Sequence, residues 1–497
     1  MVEYLQLFLE RDFWLMIPEA YLCSAVILLT LLGVFFGKSA LSTGRKVVEV
    51  VLLMGVFALL WGALLYGNQW GLNCYALDFQ VKKDSLSLFF ALMVMLSTAA
   101  ILWLGRDYLK KDSVDDFEYV LLVLLAVIGL LVMVTCNDLL VIYLGIELQS
   151  LCLYVLACLK RHSRYSTEAG LKYFILGAFS SCILLFGMSL FYGFTGITNL
   201  SDMEFLLCNY QGALLESKGF LLGLLLIAIG LIFKAGGVPF HVWLPDVYAG
   251  SPTFVTSFFA VVPKIAVFAL MIKMGAVISM VEGVDVLLLY SGLLSLLVGS
   301  LGGIYQTTIK RLVAYSAIGH TGFVLLALYV GGIDGTVAVC LYVLIYVFML
   351  INFFGVILSL RRQSDGGSVR LLGSLHEVYR SNTMMGMWLC LLLFSMAGIP
   401  PLAGFYSKLY VFFVMIKDEL FFTSIIAVFL SVLGAVYYLR LIRILFFNAS
   451  RKWGFYEDVS RGNSYGIVYS GLFIVLFCVY SMPILVGLNE LVLMYYL

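Results

Sequence analysis

Apolar residues run through this chain in long blocks separated by short polar segments. Neither the alternation of a half-buried strand nor the single stripe of a surface helix dominates the pattern. A helical bilayer crossing takes about 20 apolar residues. On that measure the blocks predict spans near 13–36, 47–67, 84–104, 117–136, 139–160, 168–192, 219–249, 252–273, 284–306, 311–331, 335–360, 383–417, 420–446 and 465–487, about 14 transmembrane helices. The connections are short, so no soluble domain is expected. The expected fold class is an all-α polytopic membrane protein.

Two blocks are too long for one straight crossing, the seventh and the twelfth. The seventh reads GFLLGLLLIAIGLIFKAGGVPFHVWLPDVYAGSP over residues 219–252. Inside its apolar stretch stand Lys234, Gly236, Gly237, Pro239 and His241. Proline lacks the amide that continues a helix, and paired glycines loosen the backbone. Backbone groups freed at membrane depth must line a cavity or pack in protein. Ala235-Gly236-Gly237-Val238-Pro239 is echoed by Ala397-Gly398-Ile399-Pro400-Pro401 in the twelfth block, 162 residues later. Five spans separate the two, so they cross in opposite directions. Inverted repeats with broken helices mark many transporter folds, with sites near the midplane. The expected organisation is three N-terminal helices (1–116), a five-helix repeat of helices 4–8 (117–273), an inverted repeat of helices 9–13 (284–446) and a C-terminal helix (447–497), with helices 7 and 12 broken.

Composition agrees. Of 497 residues, 63% are hydrophobic and 12% charged, against about 25% charged in soluble domains. A net charge of +1 and the lack of a basic, aromatic-interleaved patch exclude a nucleic-acid reading. The 10 cysteines form no C-x-x-C, and no G-x-G-x-x-G or Walker loop occurs, so no metal, redox or nucleotide site is readable.

Charge placement narrows the function. Loops after odd-numbered spans hold 21 Lys and Arg, and loops after even-numbered spans hold 5. The bias puts the odd loops inside and both termini outside. Apart from Arg11 in the N-terminal tail, this leaves Lys234, Lys264 and Lys408 inside spans. Among the 29 acids only Glu147 sits well inside one, while Glu19 and Asp84 fall near span ends where water reaches them. A charge at the bilayer centre costs about 2.5–3.5 kcal/mol on insertion scales. A Glu147–Lys234 bridge would account for one pair as plain structure, but Lys264 and Lys408 have no buried acid left. Lysine in a low dielectric holds its proton less tightly, so such a set can relay protons. His320, mid-way along the tenth span, and His241, just past the seventh break, are open to two readings: relay groups or hydrogen-bonded packing. The many tyrosines read as core and lipid-facing mass.

The stretches YLGIELQSLCLYVL, FKAGGVPFHVWLPDVYAGSPT, KRLVAYSAIGHTGF and AGIPPLAGFYSKLYVF resemble the antiporter-like subunits of respiratory complex I. The resemblance covers residues from about Leu86 to Phe447. It implies that Glu147 on the fifth helix pairs with Lys234 on the broken seventh, and that Lys264 and Lys408 continue the proton path. It implies a non-redox, proton-translocating subunit of a NADH:ubiquinone oxidoreductase. NAD, FMN, Fe–S clusters and ubiquinone are then expected in other subunits and no cofactor in this chain. The implied partners are other membrane-arm subunits, including neighbouring antiporter-like ones, and the lipid bilayer. The implied location is the mitochondrial inner membrane, with a bacterial plasma membrane as the alternative. Cation/proton antiporter subunits share the fold and supply the rival reading.

Overall fold

The computed structural model of the chain describes residues 2–37, 41–111, 117–209, 217–279, 283–363, 367, 369–447 and 456–496. Helices dominate it. The N-terminal block holds α1 (Val2–Gly37), α2 (Leu41–Asn68) and α3 (Ser85–Lys111). The first repeat holds α4 (Glu118–Thr135), α5 (Leu139–Ala157), α6 (Arg164–Thr195), the short surface helix α7 (Leu200–Asn209), the broken span α8 (Lys218–Ala235) plus α9 (Trp243–Gly250), and α10 (Thr253–Ser279). The second holds α11 (Asp285–Ile304), α12 (Ile309–Val330), α13 (Gly332–Ser359), the short α14 (His376–Ser381), the broken span α15 (Thr383–Ala397) plus α16 (Ala403–Lys417), and α17 (Phe421–Phe447). The chain closes on α18 (Arg461–Leu476) and α19 (Ser481–Tyr496).

Twelve helices are each long and apolar enough to cross a membrane. The pairs α15/α16 and α18/α19 account for the other expected spans. The last pair corrects the expectation of a single crossing over 465–487: its halves are bent by 91°. Ser481 and Pro483 open α19, and proline fits a first helical turn because its missing amide would have no partner there. A second departure lies in the polar connection before α3. There Cys74–Ala76 and Val81–Lys83 form an antiparallel hairpin, β1 and β2.

Both repeats are built on the same local physics. In the first, α4 packs on α5; in the second, α11 packs on α12. Each contact is made by glycines, because a side chain would strike the facing backbone. A Cβ on Gly129 would stand 2.9 Å from the Gly145 carbonyl, and one on Gly299 would stand 2.6 Å from the Gly319 amide. Small residues let helices approach where no hydrophobic driving force acts between them.

The breaks also match atom for atom. Gly236 (φ 82°) and Gly398 (φ 84°) both take the left-handed conformation that ends a helix. Gly236 N donates to Phe233 O and Gly237 N to Ile232 O; Gly398 N donates to Ser395 O and Ile399 N to Phe394 O. Both are Schellman ends, with a cis X-Pro bond following at Val238–Pro239 and Pro400–Pro401. The sequence echo is therefore a structural one. α10 is buried along its whole apolar length, and most of α12 and α13 is buried with it. These helices form the centre on which the ionisable side chains converge.

Candidate functional site

Lys408 lies on α16, well past its break in sequence, yet it returns to the break in space. Its Nζ donates to Met396 O at 3.0 Å and to Ala397 O at 2.9 Å. These are the two terminal carbonyls of α15 that the Schellman end leaves without amide partners. The negative end of a helix dipole therefore holds the ammonium, which has no carboxylate partner among the described residues. The Phe323 ring lies 5.6 Å from the nitrogen.

Lys264, on α10, is 3% exposed. Its Nζ donates to Ala317 O of α12 at 3.3 Å and stands 5.7 Å from the centroid of the Tyr346 ring on α13. One long hydrogen bond and one aromatic face are a light hold on a cation. His320 lies one helical turn beyond Ala317. Its Nδ1 meets the Tyr342 hydroxyl at 2.7 Å, its Nε2 meets the Tyr438 hydroxyl at 3.3 Å, and its ring lies 5.3 Å from that of Tyr346. Tyr346 thus touches both Lys264 and His320. His320, Lys408 and Tyr438 also line one cavity of about 30 Å³, room for a water molecule. Lys264 and His320 thus share the Tyr346 ring, and His320 and Lys408 share a cavity, which sets the three residues in one line through an otherwise apolar centre.

Glu147 and Lys234 stand apart from that line. Both are partly exposed at the flank of the chain. The expected direct pair is absent: they interact through space, and Glu147 Oε1 is buried without a hydrogen-bond partner. The cause is packing, because α5 and α8 each pack on α6, which lies between them. His241 sits in the turn between α8 and α9, where its carbonyl accepts from Leu244 N at 3.0 Å. Its Nδ1 is buried without a partner. No hydrogen bond among the described residues joins its ring to Lys264, His320 or Lys408.

Buried lysines between two broken-helix repeats point to a particular group of proteins. The NADH:quinone oxidoreductase/Mrp antiporter, TM family matches residues 136–434. The chain is 38% identical to NADH-ubiquinone oxidoreductase chain 2 of Marchantia polymorpha, over 97% of this chain and 99% of that one. The chain belongs to this family. It is also 39% identical to NADH-quinone oxidoreductase subunit N of Paramagnetospirillum magneticum, over 87% of this chain and 88% of that one. Its fold matches a chain of respiratory complex I from Thermus thermophilus with bound aureothin, with a TM-score of 0.80 and 30% identity over 95% of this chain and 99% of that one.

The lysines of this line are not the only polar groups buried here. Tyr342, Tyr346 and Tyr438 are at most 3% exposed, core as expected, but each also meets His320 by its hydroxyl or its ring. Their signal in the sequence was the spacing of Tyr342 and Tyr346, one helical turn apart on the face opposite His320. Two lysines placed in outer loops by the charge pattern are buried as well. Lys273 is 5% exposed and donates to Val134 O at 2.5 Å and Cys136 O at 3.3 Å. Lys83, at the end of β2, is fully buried and bonds Glu19 Oε2 at 3.0 Å and Gln69 Oε1 at 3.2 Å. Tyr66 completes the cluster by donating to Glu19 Oε1 at 2.6 Å. Burial lowers the Lys83 pKa from its usual value, against the pull of the Glu19 carboxylate. Glu19 and Asp84, expected within reach of water, are likewise buried.

Proposed function

We propose that this chain is a proton-translocating membrane-arm subunit of a NADH:quinone oxidoreductase, with no redox step of its own. Electron transfer from NADH to ubiquinone takes place in other chains, which also hold NAD, FMN, the Fe–S clusters and the quinone. The membrane is the mitochondrial inner membrane or its bacterial counterpart. Glu147 and Lys234 lie at the flank, where another antiporter-like subunit can seat and bias them electrostatically. A change in charge there alters the proton affinity of Lys264, and the proton passes by way of His320 to Lys408. The observation that carries this reading is the Lys264–Tyr346–His320–Lys408 line, which joins the two repeats through an aromatic ring, an imidazole and a water-sized cavity.

The test is NADH-driven proton uptake by inverted vesicles containing the assembled enzyme. Lys264→Met should abolish the share of pumping that passes through this chain while assembly, read on native gels, is kept. Full-rate, fully coupled pumping by the assembled variant would overturn the proposal. The rival reading, a cation/proton antiporter subunit, predicts Na⁺-dependent dissipation of a pH gradient without NADH and no co-purifying NADH oxidation.

A further inference from the structure

A second polar site lies away from the lysine line. A cavity of about 450 Å³ opens among the starts of α6, α10 and α12. Pockets of this volume take small ligands or headgroups. Its wall carries Lys160, Lys172, Lys310, Arg311 and Arg370 against two carboxylates, Glu168 and Asp246. Lys172 stands 2.8 Å from Glu168 and 2.9 Å from Asp246, and Arg311 reaches Asp246 at 3.4 Å. Both acids are thus already bridged by cations, Lys310 Nζ donates to Ser251 O at 2.6 Å, and five cations stand against two carboxylates in the wall.

Backbone dipoles add to that charge. Three helices begin at the cavity and one, α9, ends there, so N-termini, which favour anions, outnumber C-termini among these four helices. The residues preceding two of them, Ser163 and Thr308, make no side-chain bond to their own helices. The Thr308 hydroxyl is buried in the cavity wall with no hydrogen-bond partner. A buried hydroxyl without a partner costs free energy that an incoming acceptor would recover. Each of the five cations is on the side that the charge bias places inside. Tyr165 at the rim is 72% exposed, as interfacial tyrosines are. Basic pockets between transmembrane helices on this side suit phospholipid headgroups. Lys160 and Lys172 come from the first repeat, and Lys310, Arg311 and Arg370 from the second, so a bound anion would tie the repeats together.

We propose that this cavity is a phosphate-binding site, filled by the headgroup of an anionic phospholipid or by free phosphate. The assembled enzyme, stripped of loosely held lipid, is tested with two probes. One is spin-labelled phosphatidylglycerol against spin-labelled phosphatidylcholine in phosphatidylcholine vesicles; the other is radiolabelled inorganic phosphate in equilibrium dialysis. Preferential, saturable binding of phosphatidylglycerol that inorganic phosphate does not displace assigns a lipid headgroup. Saturable binding of inorganic phosphate assigns the free anion. Lys160→Gln with Arg370→Gln should weaken whichever binding is seen by about thirtyfold, at the usual worth of two interfacial cations. Lys160→Arg with Arg370→Lys should restore it. Wild-type enzyme that neither prefers phosphatidylglycerol nor binds phosphate overturns the proposal. So does undiminished binding by the Gln variant. If the Gln variant fails to assemble, the two wild-type measurements still decide.

Discussion

Lys408 does two jobs that a substitution can separate. Its ammonium satisfies the Met396 and Ala397 carbonyls, and in the proposed path it also releases a proton. Arginine can supply donors in its place but does not deprotonate in proteins. Lys408→Arg should therefore assemble at the wild-type level and lose coupled pumping. Lys408→Met should lose pumping and also some assembly, because a buried acceptor left unsatisfied costs about 1–3 kcal/mol. Normal pumping by the Arg variant would show that the charge alone matters. A finer test concerns His320. Its bond to Tyr342 is 2.7 Å and that to Tyr438 is 3.3 Å, so Tyr342→Phe should slow NADH-driven proton uptake more than Tyr438→Phe. Equal or reversed effects would mean that the shorter bond does not orient the ring. The lysines of this line were legible in the sequence because a charge in an apolar run is conspicuous. The tyrosines were not, because a tyrosine there reads as mass until its hydroxyl partner is known. Lys83 and Lys273 were missed because span ends read as wet, whereas the hairpin and the 134–136 carbonyls bury them.

At the scale of the element, the helix breaks are the testable unit. Left-handed backbone costs a non-glycine residue roughly 1–2 kcal/mol, and at both breaks a new Cβ also meets a neighbour. On Gly236 it would lie 2.4 Å from Leu244 Cδ1, and on Gly398 it would lie 3.0 Å from Lys408 Nζ. Gly236→Ala should lower thermal stability of the assembled enzyme. Gly398→Ala should do so too and also impair pumping, by pushing Lys408 off its carbonyls. Gly193→Ala, with open space around its Cβ, is the control expected to change neither. Indistinguishable melting of all three variants would sink the account. Both breaks were legible, since A-G-x-x-P within an over-long apolar run signals a stop and a restart together. The bend between α18 and α19 was not, because apolar residues continue across it and only Ser481 and Pro483 mark the restart. The hairpin was hidden for a related reason: its strands are 3 residues each, too short for an alternation pattern to register. Its anchor is testable. Removing one partner of a buried ion pair costs about 3–5 kcal/mol, so Lys83→Met should reduce assembly sharply, and Lys83→Met with Glu19→Gln should recover much of the loss. No recovery in the double variant would mean that Lys83 acts by packing instead of charge.

At the scale of the whole molecule, the question is how a charge at the flank reaches the centre. Moving one charge across 100 mV takes about 2.3 kcal/mol, which corresponds to about a fiftyfold change in proton affinity. At an effective dielectric near 20, two charges interact by about 2.3 kcal/mol when roughly 7 Å apart, beyond hydrogen-bond distance. Through-space coupling among partly buried groups is therefore of the right size without a direct bond. This matters because Glu147 and Lys234 share no direct bond, with α6 packed between their helices. If the two were a structural bridge, neutralising both would be harmless and would rescue either single change. If they are the switch at the end of the line, neutralising both leaves nothing to bias Lys264. The Glu147→Gln, Lys234→Met double variant is thus expected to assemble and oxidise NADH, yet to pump no better than either single variant. Proton uptake per NADH oxidised, measured in the same vesicles for all three, is the deciding ratio. Its return to the wild-type value in the double variant would make the pair architecture and place the switch elsewhere.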